Sequence, residues 1–272
     1  MALRIQNNVE AFNAHRQLNS TADKAAKAME KLSSGYRINK AADDAAGLAI
    51  SEKMRGQIGG LAQSQRNAQD GISLVQTAEG ALTEVHSMLQ RVRELKVQYE
   101  NGTLSTEDKA AIDAEFTALQ TEISSIRSQT QFNKNALLNA AGTTTFQVGA
   151  NTGETIAVTR IDLTGNSGTG NASGVSVAGS LSAVTIDSID KSIENVSKLR
   201  GDFGAVQNRL EHRIANLATY QENLVAAESR IRDVDMASEM VNFSKLSILQ
   251  QAGTSMLAQA NQSPQSVLSL LR

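Results

Sequence analysis

The stretch that decides the fold is residues 58–99, IGGLAQSQRNAQDGISLVQTAEGALTEVHSMLQRVRELKVQY. Its apolar side chains recur in steps of three, four or seven, and Gln65 and Lys96 fill two positions of the same repeat. This spacing predicts a helix with a heptad seam. If it starts near Asp44, the helix has about 56 residues and a length of roughly 84 Å. A helix of that length cannot bury its seam inside a globule, so we expect other long helices beside it.

The composition favours packing of helix on helix. The 272 residues include one proline, no tryptophan and no cysteine, and only 3% of them are aromatic. A net charge of -2 gives no electrostatic basis for binding nucleic acid. No apolar run is long enough to span a membrane, and the first residues lack the apolar region of a cleavable signal peptide. We therefore expect no nucleic-acid partner and no membrane insertion.

The remaining helical patterns predict the partners of the long helix. We expect a first helix over 4–36, with Gly35 as its stop, the long helix over 44–99, and further helices over 105–129 and 183–232. Ser105 and Asp108 are expected to form a capping box at the start of the third helix. The short connection after the long helix predicts that the third helix is antiparallel to its end. The helical pattern continues to Ala260, and Ser263-Pro264 is expected to open a last short helix.

The period changes at the middle of the chain, where alternating residues predict a β-hairpin over about 143–160, followed by a Gly-rich link at 161–181. The fold class is therefore mainly α, a long antiparallel coiled-coil or helical-bundle rod with a small β-hairpin at the middle of the chain and paired N- and C-termini. We assign residues 1–42 and 233–272 to a terminal-helix domain and 43–232 to a rod domain.

Candidate chemistry is sparse. The three histidines are not at metal-ligand spacing, and no serine lies in a nucleophile motif. Asp43 and Asp44 are better explained as helix caps than as an acid–base pair. The sequence therefore predicts no enzyme activity, no catalytic residues, no metal and no cofactor.

Six stretches resemble the signatures of bacterial flagellin. They are residues 32–39 (LSSGYRIN), 42–51 (ADDAAGLAIS), 67–82 (NAQDGISLVQTAEGAL), 207–210 (QNRL), 227–235 (AESRIRDVD) and 268–271 (LSLL). The segments QFN at 131–133 and QVGA at 147–150 extend the resemblance through most of the middle. Larger flagellins insert outer domains there. Residues 161–181 are too few for that, so the chain resembles a short form without outer domains.

The resemblance implies a structural subunit that polymerises into the helical flagellar filament for motility. It implies a secreted, extracellular protein that leaves the cell unfolded through the flagellar type III pathway. The implied partners are other copies of the chain, an export chaperone that binds the C-terminal segment, and filament cap and junction proteins. The terminal helices would form the filament core, and the expected subunit-packing residues are Leu18, Met29, Leu32, Val241, Ile248, Leu249, Met256, Leu268 and Leu271.

Residues 89–98, LQRVRELKVQ, resemble the rod-domain motif through which a Toll-like receptor recognises some flagellins. Arg91, Leu95 and Glu115 are the contacts that this resemblance implies. On the heptad pattern we expect Leu95 to lie off the seam and near the surface, unless it packs on the third helix instead. Lys96 departs from the alanine usual at its position.

Two alternatives to a filament subunit remain open, a hook–filament junction protein and a monomeric coiled-coil binding module that does not polymerise. An enzyme grafted into the scaffold would need an inserted domain. Two further expectations concern the monomer. Residues 165–180 should be dispensable for assembly, and the ends, 1–42 and 233–272, should be largely disordered before assembly because their apolar stripes rely on alanine and methionine.

Overall fold

The computed structural model describes residues 8–160, 162–163, 175 and 179–270, with side chains up to residue 262. The fold is mainly α with a small antiparallel hairpin, as predicted. Its elements in chain order are α1 (Val9–Ser34), α2 (Ala45–Tyr99), α3 (Thr106–Gln129), β1 (Gln131–Phe132), β2 (Asn135–Ala136), β3 (Gly142–Gln147), β4 (Thr155–Arg160), α4 (Ile186–Arg232) and α5 (Met236–Leu270).

The chain divides into two compact units. Unit 1 comprises Met1–Gly56 and Asn223–Arg272, and unit 2 comprises Gln57–Glu222. Helices α2 and α4 each contribute residues to both units. The segments that we assigned from the sequence to a terminal-helix domain, 1–42 and 233–272, both fall within unit 1.

In unit 2, helices α2, α3 and α4 share one apolar core. The guanidinium of Arg93 meets the carboxylate of Asp190 at 2.7 Å, and the amide of Gln65 donates to that of Gln221 at 3.0 Å. These two pairs show that α4 runs antiparallel to α2, as the heptad patterns predicted. The buried core side chains of the three helices are Leu74, Val75, Ala78, Leu82, Val85, Leu89, Val92, Leu95, Ile112, Phe116, Ile123, Ile189, Val196, Leu199 and Phe203.

The predicted hairpin is formed by β3 and β4, which pair in register from Gly142 with Arg160 to Gln147 with Thr155. Ile156 is buried in a second cluster against Ala68 of α2 and Leu210 of α4. A smaller hairpin, β1–β2, precedes it. Sequence reasoning missed this hairpin because strands of two residues have no period to detect.

Two predicted helix boundaries are confirmed in atomic detail. Gly35 ends α1 in the left-handed region, with a φ of 76°, and its N–H donates to the carbonyl of Lys31 at 2.9 Å. At the start of α3, the Ser105 hydroxyl accepts from the N–H of Asp108, and the Asp108 carboxylate accepts from the N–H of Ser105. This reciprocal pair is the predicted capping box.

The two neighbouring aspartates before α2 have different partners. Asp44 is the cap, because its carboxylate accepts the N–H of Gly47 at 2.8 Å. Asp43 closes the preceding turn by accepting the N–H groups of Asn39 and Lys40 at 3.2 and 3.0 Å. These N–H donors lower the pKa of Asp43. Both carboxylates therefore have structural partners, as expected.

The expected separate helix after Ser263 is a wrong prediction, because α5 continues through Pro264 to Leu270 without a break. A proline inside a helix has no N–H to give the carbonyl four residues earlier, here that of Ala260. The side-chain amide of Asn8 donates to this carbonyl instead, at 2.7 Å, while its oxygen caps α1 by accepting the N–H of Ala11. A partner distant in sequence thus replaces the lost helix bond, which a local pattern could not reveal.

Candidate assembly surface

Unit 1 has a small apolar core where α1 packs against α5. Its buried cluster consists of Ala25, Ala28 and Leu246, with Phe243 partly buried against them. Two of the three buried side chains are alanines, so this contact removes little apolar area from water. The helices of unit 2, in contrast, bury mostly leucine, isoleucine and valine.

Large apolar side chains that stay exposed are concentrated in unit 1. Of the thirteen in the described part of the chain, only Val97 and Tyr220 belong to unit 2. We define the other eleven as the assembly surface: Val9, Phe12, Met29, Ile50, Val225, Met236, Met240, Val241, Ile248, Leu249 and Met256. Scattered apolar residues are normal on protein surfaces, but a concentration in the unit with the weaker core indicates a binding surface.

On α5 the exposed residues form a second apolar face. Val241, Ile248, Leu249 and Met256 are separated by steps of seven and one, which place them along one side of a helix. Leu246, which is buried against α1, lies on a different side. Helix α5 is therefore apolar on more sides than α1 alone can cover.

The predicted subunit-packing residues fall into three groups. Five are exposed and belong to the assembly surface: Met29 (58%), Val241 (72%), Ile248 (68%), Leu249 (47%) and Met256 (65%). Leu18 and Leu32 are half-buried, and the Leu18 side chain reaches α5 so closely that a Cβ added at Gly253 would lie 3.2 Å from it. Leu268 lies in α5, but its side chain is outside the described part, and Leu271 is outside the described residues.

Within unit 1, the break that follows α1 is joined to the break that precedes α5. Tyr36 forms an antiparallel bridge with Asp233, and the N–H of Val234 donates to the carbonyl of Gly35 at 3.0 Å. Arg232 is buried below this bridge, 2.5 Å from a Glu52 carboxylate oxygen and 4.8 Å from the centre of the Tyr36 ring. Hydrogen bonding to Arg232 lowers the pKa of Glu52. We call this group of residues the joint.

The structure brings together two of the three residues in the predicted receptor motif. The Arg91 guanidinium lies 2.8 Å from a Glu115 carboxylate oxygen, linking α2 to α3, and both side chains are exposed. Hydrogen bonds to Glu115, and secondly to Glu94, raise the pKa of Arg91. The two charged residues therefore form one surface feature of unit 2.

Leu95 does not lie at the surface as expected; it is 1% exposed and belongs to the core of unit 2 with Phe116 of α3. The expectation failed because it assumed a narrow seam facing one partner. Helix α2 packs on both α3 and α4, so a wider set of its positions is covered. Its burial agrees with the alternative, packing on the third helix, because the cluster that contains Leu95 includes Phe116 of α3.

Leu181, the last residue of the Gly-rich link, anchors the chain before α4 begins. Its side chain is fully buried, its N–H donates to the Asp113 carboxylate at 2.9 Å, and its carbonyl accepts from Lys96 at 3.1 Å. Lys96 is itself buried within the core pattern of α2, with Glu100 3.2 Å from its ammonium group. Lys96 thus occupies a core position of α2 where an apolar side chain would be usual, and it donates a hydrogen bond to the backbone of Leu181.

The described residues offer little for catalysis. Across their ranges no three imidazole or carboxylate groups converge as a metal site, and no helix is long and apolar enough to cross a bilayer. An open groove of about 510 Å³ in unit 2 is lined largely by glutamine amides together with Arg66 and Asp70. Amides are poor general acids and bases, so we assign the groove no reaction.

Two family models match most of the chain. The bacterial flagellin N-terminal helical region matches residues 5–143, and the bacterial flagellin C-terminal helical region matches residues 186–271. The first contains α1, α2 and α3, and the second contains α4 and the whole of α5. The matched regions therefore contain every residue of the assembly surface and the whole joint.

Individual proteins agree with the family models. The chain is 55% identical to a flagellin of Halalkalibacterium halodurans, covering 98% of this chain and 99% of that one. It is 49% identical to a flagellin of Bacillus subtilis, over 99% and 100% of the two chains. The crystal structure of Bacillus cereus flagellin matches with a TM-score of 0.50 and 29% identity, covering 60% of this chain and 94% of that chain. Identity at this level over nearly full length shows that the chain belongs to the bacterial flagellin family.

Proposed function

We propose that the assembly surface of unit 1 binds other copies of the chain and forms the core of a flagellar filament. As a flagellin, the chain is a structural subunit of the helical flagellar filament that serves motility. The observation that supports this use of unit 1 is the concentration there of exposed apolar side chains beside a small, alanine-rich core.

The exposed apolar side chains of unit 1 supply contact energy for assembly. Burying a large apolar side chain contributes about 1.5–3 kcal/mol, and those of the assembly surface are roughly half exposed, so each offers about 1 kcal/mol to a new contact. The assembly surface includes residues of α1, α2, α4 and α5, which allows contacts with several neighbours. Contacts between different patches of identical subunits form a ring where the rotation closes and an open helical filament where it does not.

This mechanism needs no active site, so we propose a purely structural role without enzymatic activity. Membership in the family implies export, and we propose that the assembled chain is extracellular, in the filament. Export of a long chain in an unfolded state suits unit 1, whose small core offers little resistance to unfolding.

We propose three further partners. The C-terminal helix α5 would bind an export chaperone, because its exposed residues Val241, Ile248 and Met256 need cover before assembly. Filament cap and junction proteins would bind the same unit at the ends of the polymer. The third partner is a host Toll-like receptor at the Arg91–Glu115 surface of unit 2, with Leu95 holding α2 against α3 from within the core.

Polymerisation of an Ile248→Ala variant tests the assembly proposal. Truncating this side chain, which is 68% exposed, removes apolar contact from the proposed interface at little cost to the free chain. A loss of about 1–2 kcal/mol per subunit raises the critical concentration about 5- to 30-fold. Sedimentation of seeded polymer gives that concentration, and electron microscopy shows whether filaments form.

Val97→Ala is the matched control, because Val97 is a branched apolar side chain that is 53% exposed but belongs to unit 2. Its critical concentration should equal that of the wild type. An Ile248→Ala variant with wild-type helicity and wild-type critical concentration would contradict the proposed surface. A wild-type chain that stays monomeric with seeds would instead favour the coiled-coil binding module.

A further inference from the structure

The turn between α2 and α3 contains the only Asn-Gly pair in the sequence, Asn101-Gly102, and both residues are exposed. The backbone of the turn is fixed at Asn101, whose N–H donates to the carbonyl of Gln98 at 3.1 Å and whose carbonyl accepts from Leu104 at 3.4 Å. The side-chain oxygen of Asn101 accepts the N–H of Thr103 at 3.3 Å. The asparagine side chain is thus turned towards the backbone that follows it.

This arrangement favours attack of the Gly102 backbone nitrogen on the side-chain carbon Cγ of Asn101. A Cβ built on Gly102 would meet nothing within 4 Å beyond its chain neighbours, so no residue from elsewhere in the described chain crowds Gly102. Within the described chain, no protein acceptor engages the N–H of Gly102. The N–H of Thr103 polarises the side-chain carbonyl and stabilises the negative charge that its oxygen gains during the attack. We propose that Asn101 is a site of spontaneous deamidation in the folded chain.

The reaction conserves atoms and electrons. The Gly102 nitrogen loses its proton and forms a bond to Cγ of Asn101, which closes a five-membered succinimide ring. The bond from Cγ to Nδ2 then breaks, and the amide nitrogen leaves as ammonia with the proton from the backbone. Water opens the ring at either carbonyl, giving aspartate from one bond and isoaspartate from the other. The net change is water for ammonia, without oxidant or reductant.

The product changes the charge of the turn. Each converted chain is one unit more negative, and the new carboxylate follows Glu100 directly at the C-terminal end of α2. Carbonyl groups make that end of a helix partly negative, so the product is repelled by both neighbours. Isoaspartate also lengthens the backbone of the turn by one methylene. A subunit therefore acquires with time a local change at the connection between two core helices of unit 2.

Mass spectrometry of the intact folded chain, incubated at mildly alkaline pH and then digested with trypsin, tests the proposal. The tryptic peptide 97–109 contains Asn101 as its only asparagine. Conversion exchanges an amino group for a hydroxyl and gives two products of equal mass that separate by chromatography. Asn133 serves as the internal standard, because it is exposed in a tight turn but is followed by Lys134.

Gly102→Ala is the matched variant, since Gly102 is not among the glycines of positive φ and has room for a methyl group. We expect Asn101 in the wild type to convert at least about tenfold faster than Asn133 or than Asn101 in the variant, equivalent to ~1.4 kcal/mol in the barrier. The wild-type rate should rise with pH because the attacking nitrogen must lose a proton. Equal rates in wild type and variant, or conversion only after unfolding in urea, would overturn the proposal.

Discussion

Arg232 is 9% exposed although it carries a permanent charge, and its contacts offset part of the cost of that burial. Among the described residues its Nε has no hydrogen-bond partner. Its guanidinium has the Glu52 carboxylate on one side and the Tyr36 ring on another, while its backbone carbonyl accepts the N–H of Arg37 at 2.6 Å. A buried charge without such partners would cost several kcal/mol. The same residue thus joins α4, the start of α2 and the segment after α1.

Acid should weaken the joint and the turn before α2, since the pKa of Glu52 in the joint and that of Asp43 in the turn are lowered in the folded chain. A carboxyl with a depressed folded pKa contributes stability above its unfolded pKa and loses it as the pH falls through the folded pKa. We therefore expect the melting temperature to fall from about pH 4.5 downwards. The measurement is thermal unfolding by circular dichroism as a function of pH.

The Glu52→Gln variant distinguishes the contribution of the Glu52–Arg232 ion pair from general unfolding by acid. The amide keeps an acceptor for Arg232 but has no charge, so the variant should melt below the wild type at neutral pH. The difference should disappear as the pH falls through the lowered pKa of Glu52 in the folded chain. Arg55 also lies 3.5 Å from Glu52, but it is exposed and contributes less. Parallel pH profiles for the two proteins would show that the joint does not titrate.

Comparing the Leu95→Ala and Arg91→Ala variants separates an effect on stability from an effect on receptor binding. Because Leu95 is fully buried in the core cluster that also contains Phe116, Leu95→Ala should lower the free energy of unfolding by about 2–5 kcal/mol. Arg91→Ala removes an exposed ion pair and should cost at most about 1 kcal/mol. Denaturant unfolding measures both changes. If the proposed receptor surface is correct, Arg91→Ala weakens receptor signalling at unchanged stability, whereas undiminished signalling would contradict it.

At the scale of elements, the parts of the fold set by neighbouring residues could be predicted from the sequence. The period of α2, the Gly35 stop and the Ser105–Asp108 capping box all depend on side chains within a few positions of one another. Two failures depended on distant partners. Leu95 is covered because α3 packs on α2, and Pro264 is accommodated with the help of Asn8, more than 250 residues away.

Several residues of the assembly surface could be named from the sequence, although their contacts with other subunits stay a prediction; the geometry of the joint could not be predicted. Met29, Val241 and Ile248 were expected to contact other subunits, and the structure leaves all three exposed and available. The joint could not be found by pattern, because its residues Tyr36, Glu52 and Arg232 lie in different segments and share no period. A buried arginine is indistinguishable from a solvated one in sequence alone.

The middle segment should tolerate shortening. Leu163 and Leu181 are buried on either side of it, and Leu181 is further held by Asp113 and Lys96. Most of 165–180 lies outside the described residues, but a shortened chain keeps both anchors, and loop-closure entropy grows only slowly with length. We expect a chain with 165–178 replaced by a short turn to form filaments under the electron microscope. Loss of filaments with normal helicity would contradict this.

At the scale of the whole molecule, the two units should differ in stability. The structure holds α1 and α5 as helices, but their buried cluster is small and rich in alanine, whereas unit 2 has a large apolar core. Backbone ordering costs about 1–2 kcal/mol per residue, and the small apolar area buried between α1 and α5 hardly offsets that cost. We therefore expect 22–32 and 241–256 to exchange amide hydrogens much faster than 72–89 in the monomer, and to become protected in the filament.

Hydrogen exchange followed by mass spectrometry, on monomer and filament at equal subunit concentration, measures this difference. Deleting either end should abolish filaments yet leave a cooperatively melting helical protein, because unit 2 keeps its core. Equally slow exchange in all three segments of the monomer would show that the ends are already stable and that assembly does not fold them.

The anchors at Leu163 and Leu181 also make the chain suitable as a display scaffold. A foreign peptide placed between them would start and finish at two buried, hydrogen-bonded positions, so its own conformation need not propagate into the helices. Doubling the insert costs only about 0.6 kcal/mol in closure entropy. Because every subunit of a filament would carry one copy, a graft here becomes a regular, dense array of ligands along a fibre, with a spacing set by the assembled units rather than by the graft.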